Sequence, residues 1–218
     1  MSASSPHAPL PQVFVIGDSI SIQYGPYLEQ YLQHRFGYDR KRMPPGSADP
    51  DGANGGDSAM VRAYLQERLR GGGLAAGTWL LCNCGLHDIK TDPVTGERQV
   101  APERYRENLG VLLDLAAGSG LRPVWVRITP VFEDIHNARN SSFHRFGRDV
   151  AVYNRIADEI MAARAVPVID LHAFTLPLLP AGFIDHVHFS DEIRRLQAAF
   201  IAGTLLGLGR SPVGREVR

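Results

Sequence analysis

Two short stretches of the chain carry residues that could do chemistry together. Residues 17–19 read Gly-Asp-Ser directly after an apolar run at 13–16, and residues 185–188 read Asp-His-Val-His near the other end. A serine hydroxyl is a poor nucleophile at neutral pH until a base removes its proton, and an imidazole is the usual base. The imidazole needs a carboxylate to fix its tautomer and stabilise its cation. Asp185 and His188 are three residues apart, which within a turn puts both side chains on one side. Together the pieces make a candidate triad, with Ser19 as nucleophile, His188 as base and Asp185 as orienting acid. Singly each is commonplace, since Gly-Asp-Ser occurs in many turns and Asp-x-x-His at many helix ends and surfaces. The weight rests on their joint placement.

That placement depends on the elements that carry them. Apolar runs at 12–17, 77–85, 122–131 and 166–171 read as buried strands, with a weaker one near 40–43. Between them lie amphipathic stretches at 26–37, 57–73, 101–120, 147–165 and 190–209. Asp57 or Ser58 can cap the second, Pro102 sits in the first turn of the third, and Ser190 can cap the last. Strand–helix alternation with solidly apolar strands predicts an α/β fold: a three-layer α/β/α sandwich with about five parallel strands. A single domain over 12–208 is expected, with flexible ends at 1–11 and 209–218. In an open parallel sheet, ligands bind beyond the carboxyl ends of the strands. Gly17-Asp18-Ser19 follows the first strand, Gly85-Leu86-His87-Asp88 the third, and Thr129-Pro130 the fourth. Asp185, His186 and His188 precede the last helix. The polar residues thus gather at one edge. The long irregular stretch 132–146, with His136 and His144, is of a length usually reserved for function or disorder.

Bulk properties narrow the classes. Lys plus Arg and Asp plus Glu each number 23 in 218 residues, so no electrostatic footprint for nucleic acid or an anionic membrane is expected. No apolar run reaches membrane-spanning length. The first residues have neither a basic n-region nor an apolar h-region, so the reading is cytoplasmic. Cys82 and Cys84 are two apart on an expected strand, where a disulfide would be badly strained, so they read as buried thiols. No cofactor and no metal is expected, since Cys-Asn-Cys lacks a second ligand pair.

Four blocks in order, Val-Ile-Gly-Asp-Ser-Ile-Ser at 15–21, Asn-Gly-Gly-Asp-Ser at 54–58, Cys-Gly-Leu-His-Asp at 84–88 and Asp-His-Val-His at 185–188, resemble those of the SGNH, or GDSL-type, hydrolase superfamily. The resemblance implies a flavodoxin-like sandwich and hydrolysis of carboxylic esters through an acyl-serine intermediate. It implies oxyanion donors at the Ser19 N–H, the Gly56 N–H (Gly55 being the alternative) and a ring N–H of His87. His87 stands where members usually carry asparagine, which adds a titratable group. Asp18 is expected to shape the turn and Asp88 to cap or brace the His87 loop. Asp18, Gly55, Thr129 and His136 are candidates for substrate contact, and His186 is taken as a non-catalytic neighbour. With no apolar lid helix evident, the expected substrate is a small-molecule or carbohydrate ester with a short acyl group, such as acetyl.

The rival readings are an acyltransferase, or a lysophospholipase or thioesterase, of the same fold, a degenerate ligand-binding homologue, and a metal-dependent phosphoesterase. The last lacks an early Asp-x-His. An α/β-hydrolase elbow is a poorer match, because Gly-x-Ser-x-Gly would need glycine where Ser21 stands.

Overall fold

The computed structural model describes residues 9–43 and 50–210. Five strands, β1 Gln12–Ile16, β2 Gly37–Arg40, β3 Trp79–Cys82, β4 Arg122–Val126 and β5 Val168–Ile169, form one parallel sheet. Their order is β2-β1-β3-β4-β5, the flavodoxin-like order. β1 runs between β2 and β3, pairing Phe14 with Asp39 and with Leu80. Residues 13–16 and 79–82 are buried on both faces, which is why these strands read as unbroken apolar runs.

The main helices are α1 Ser19–Leu32, α2 Ser58–Arg70, α3 Pro102–Gly118, α5 Gly147–Ala163 and α7 Asp191–Arg210. α1 packs on α7, while α2, α3 and α5 pack as a second group. Right-handed crossovers place the two groups on opposite faces of the sheet. Shorter helices, α4 Glu133–Arg139 and α6 Leu171–Thr175, lie in the connections after β4 and β5. Among the described residues no helix is long and apolar enough to cross a membrane.

The structure departs from the expected elements in four places. α1 begins at Ser19 rather than at 26, although it contains Pro26. Pro26 costs the helix one hydrogen bond, but the cap at Asp18 and the burial of Ile20, Tyr24 and Leu28 carry it through. The weak strand lies at Gly37–Arg40 and not at 40–43. The stretch 132–146 is not wholly irregular, because α4 occupies half of it. β5 is only two residues long and gives way to α6, whose N-cap is Asp170. Of the flexible ends expected at 1–11 and 209–218, residues 1–8 and 211–218 lie outside the described residues.

Candidate active site

The nucleophile candidate is built by a helix cap. Asp18 has extended backbone, and its Oδ1 accepts the Ile20 N–H at 3.0 Å and the Ser21 N–H at 3.4 Å. This is the local logic of an N-cap, in which a short carboxylate satisfies N–H groups that no helical carbonyl can reach. The chain therefore turns from strand to helix over Gly17 and Asp18, and Ser19 becomes the first helical residue. Its own N–H has no acceptor among the described residues. The Asp18 carboxyl is held above its ordinary pKa by burial, against the opposing N–H bonds and the charges of Arg145 and His188.

The acid and base come from a loop pinned to itself. Phe183 and Phe189 bridge, Ile184 N–H donates to the His188 carbonyl at 2.9 Å, and Ser190 N–H donates to the Gly182 carbonyl at 2.9 Å. Inside this loop Asp185 Oδ1 accepts the N–H groups of Val187 and His188, both at 2.7 Å. Its other oxygen lies 2.7 Å from His188 Nδ1. A carboxylate only accepts, so Nδ1 carries a hydrogen, and in the neutral ring Nε2 then presents a lone pair. Nε2 lies 2.8 Å from Ser19 Oγ, 169 positions away in the chain. Burial would raise the Asp185 pKa, but the His188 and Val187 N–H groups and the His188 ring outweigh it and bring it to about 2. Asp185 is thus a fixed anion behind the base.

The expected oxyanion donors are arranged differently from the expectation. The Ser19 N–H is open. Gly56 sits at φ +73°, a conformation that suits glycine. Its N–H, however, donates to Asn54 Oδ1 at 2.9 Å and is not free in this structure. The alternative donor, Gly55, is engaged as well, with its N–H on the Gly17 carbonyl at 2.8 Å. That bond ties the segment directly to the serine turn. His87 lies beside Asn54, with Nε2 3.5 Å from Asn54 Nδ2. Burial, then the charges of Lys90 and Arg145, push the His87 pKa down to about 3, against the opposing carboxylate of Asp57.

The residues considered for substrate contact are all enclosed. Asp18, Gly55, Thr129 and His136 are buried, His136 completely. Asp18 and Thr129 bound a cavity of about 10 Å³ together with Asn83, room for one water-sized group. His136 is engaged by its neighbours on both ring nitrogens. Its Nδ1 faces Asn137 Oδ1 at 3.2 Å, and its Nε2 faces Arg145 Nη1 at 2.9 Å. A guanidinium can only donate, so Nε2 accepts and the ring is neutral. Burial and the Arg145 charge lower its pKa to about 4. Arg145 is itself buried, and its Nε donates to the Leu86 carbonyl at 2.6 Å, next to His87. His186 lies edge-on to the His136 ring, 4.6 Å between centroids, and takes no part in the triad. Asp88 accepts the Ser58 N–H with both oxygens at 3.0 and 3.1 Å, so it caps α2 from the His87 loop.

Sequence reasoning missed Asn54 and Arg145. Asn54 adjoins the quoted glycines, and only the requirement that Gly56 find an acceptor would have singled it out. Nothing local marks Arg145 as a buried cation among the surface arginines of its region.

No family model matches the chain, and no curated protein matches it. Likeness is carried by solved structures. A lipase/acylhydrolase from Enterococcus faecalis is 18% identical, with a TM-score of 0.64 over 91% of this chain and 97% of that one. A member of the lipolytic G-D-S-L family from Veillonella parvula is 16% identical, with a TM-score of 0.63 over 91% and 98%. An acetyl xylan esterase is 13% identical, with a TM-score of 0.66 over 89% and 99%. The chain has the fold of the GDSL-type hydrolases. On that fold, Ser19 follows β1 and His87 follows β3. These two adjacent strands flank the switch point where connections leave in opposite directions, the crevice in which such sheets hold ligands.

Proposed function

We propose that this chain is a serine-dependent carboxylic ester hydrolase that works through an acyl-Ser19 intermediate. The observation that carries the reading is the continuous path from Asp185 Oδ2 through His188 to Ser19 Oγ, with contacts of 2.7 and 2.8 Å. His188 Nε2 takes the Ser19 proton as Oγ attacks the ester carbonyl. The open Ser19 N–H and the His87 ring donate to the oxyanion that forms. The imidazolium, stabilised by Asp185, gives its proton to the leaving alkoxide. A water then repeats the cycle on the acyl-serine and frees the acid. The structural likeness to lipases, acylhydrolases and an acetyl xylan esterase supports the same chemistry.

The expected substrates carry short acyl groups, acetyl esters on carbohydrates among them. The likeness in fold to an acetyl xylan esterase supports this. A fluorophosphonate probe should label the wild-type chain at Ser19 and leave Ser19→Ala unlabelled. Hydrolysis of p-nitrophenyl esters should fall as the acyl chain lengthens, and acetylated sugars should be turned over. Retained turnover in Ser19→Ala would remove the mechanism. Chelator treatment should leave the rate unchanged, since no step uses a metal.

A further inference from the structure

His87 is the residue at which the sequence departs from its resemblance, and its ring meets one side-chain hydrogen-bonding partner among the described residues. Nε2 lies 3.5 Å from Asn54 Nδ2. The identity of that atom is set from the far end of the carboxamide. The Gly56 N–H lies 2.9 Å from the other terminal atom, and an N–H can be received only by oxygen. The amide oxygen therefore faces Gly56 and the NH2 faces His87. An amide NH2 has only hydrogens to offer, so Nε2 must present its lone pair. The single hydrogen of the neutral ring is then on Nδ1. An imidazolium would set two donors against each other. Nδ1 has no acceptor among the described residues, so its hydrogen is available to a ligand.

The charged surroundings act in the same direction. Lys90 and Arg145 both disfavour a cation at His87, and only Asp57 favours one. Asp57 is committed elsewhere, with Oδ1 on the Met60 N–H and Oδ2 on Gln99 Nε2. Arg145 cannot move off, because its Nε holds the Leu86 carbonyl immediately before His87.

We propose that Asn54 is a positioning residue whose carboxamide holds His87 as the neutral Nδ1–H tautomer, so that Nδ1 and not Nε2 is the nitrogen through which the ring donates. The Gly56 N–H then acts through Asn54, polarising the carboxamide that faces the imidazole. The assignment of the donated hydrogen to an oxyanion rests on the ester-hydrolase reading; the tautomer does not.

The test is nitrogen NMR on the full chain with 15N-labelled histidine, the His87 signals being assigned by their loss in His87→Asn. Wild type should show a protonated Nδ1 and a bare Nε2 from pH 5 to 8. Asn54→Asp keeps an oxygen for the Gly56 N–H and replaces the facing NH2 with carboxylate oxygen. It should put a proton on Nε2 and raise the His87 pKa by about 1–3 units, the usual effect of an opposite charge at close range. A purely structural role for Asn54 would move neither signal. A wild-type ring protonated on Nε2, or an Asn54→Asp chain with unchanged His87 signals, would overturn the proposal. Activity in Ser19→Ala with the Nδ1–H tautomer intact would instead defeat the hydrolase reading and leave the positioning contact standing.

Discussion

His188 can act on Ser19 only while its Nδ1 holds a hydrogen, and Asp185 is what keeps it there. The two oxygens of Asp185 have separate duties, one on the Val187 and His188 N–H groups and the other on the ring. This division makes Asp185→Asn an informative change. The Asn oxygen would be committed to the two backbone donors, leaving its NH2 against Nδ1. The ring would be forced to the Nε2–H tautomer, which cannot take the serine proton. Turnover should fall by about 10⁴-fold, while the backbone bonds that shape the loop survive and the melting temperature changes little. A steady-state assay paired with a melting curve checks both halves. At this scale the sequence was informative where recognition is local. Asp-x-x-His closes within three residues, and an Asx turn alone brings the carboxylate onto the ring. It was uninformative where one side chain's meaning depends on a distant group. Asn54 matters because of His87, 33 positions away, and Arg145 because of Leu86, 59 positions away. No spacing rule connects these.

The serine owes its position to α1, and α1 owes its start to Asp18. The strand before it was plain from its apolar run, and the parallel sheet followed from the alternation of elements. The helix boundary was harder to read, because Gly25 and Pro26 argue for a later start. Two N–H bonds to Asp18 and a buried apolar stripe override that local preference. Asp18→Ala removes the cap and should cost about 1 kcal/mol, or about 2–4 °C in melting temperature for a chain of this size. Its effect on turnover should exceed that on stability, since an uncapped first turn no longer fixes Ser19 against His188. Asp18→Asn keeps an acceptor for the Ile20 and Ser21 N–H groups and relieves the burial of a charge. It should melt no lower than wild type. Differential scanning calorimetry across the three chains, with kcat measured alongside, separates capping from charge. The stretch 132–146 shows a different limit of sequence reading. Its length suggested an irregular loop, whereas α4 takes up half of it and anchors it through the buried His136, with Arg145 buried further along and its other side chains exposed or half-buried.

Across the molecule, the carboxyl ends of β1 and β3 open side by side, and the segments that follow them are stitched together. Gly55 donates to the Gly17 carbonyl, Asp88 caps α2, and Arg145 holds the Leu86 carbonyl. The stitching encloses titratable groups, and the enclosure should appear as a dependence of stability on pH. His87 and His136 have folded-state pKa values pushed down to about 3 and about 4, from 6.5 in the open chain. For each ring the unfolded chain binds its proton first. Their contribution is fully present above pH 6.5 and is lost as pH falls toward the folded values. Asp88 opposes them. Burial lifts its pKa from 3.8 to about 6, against the bonds from Ser58, so folding is penalised above pH 6 and the penalty fades toward pH 4. Asp18, which burial also raises, acts with Asp88, and His186, which burial lowers, acts with the two rings. The loss carried by His87 and His136 should lower the melting temperature between pH 6.5 and pH 4.5. The part due to His87 is of order 2–3 kcal/mol at pH 4.5. His87→Asn offers its amide oxygen to the Asn54 NH2 and has nothing to titrate, so its melting temperature should fall more gently over the same interval. Matching slopes for the two chains would mean that the His87 ring gains its proton in the folded state as easily as in the unfolded one, contrary to the donor set found around it.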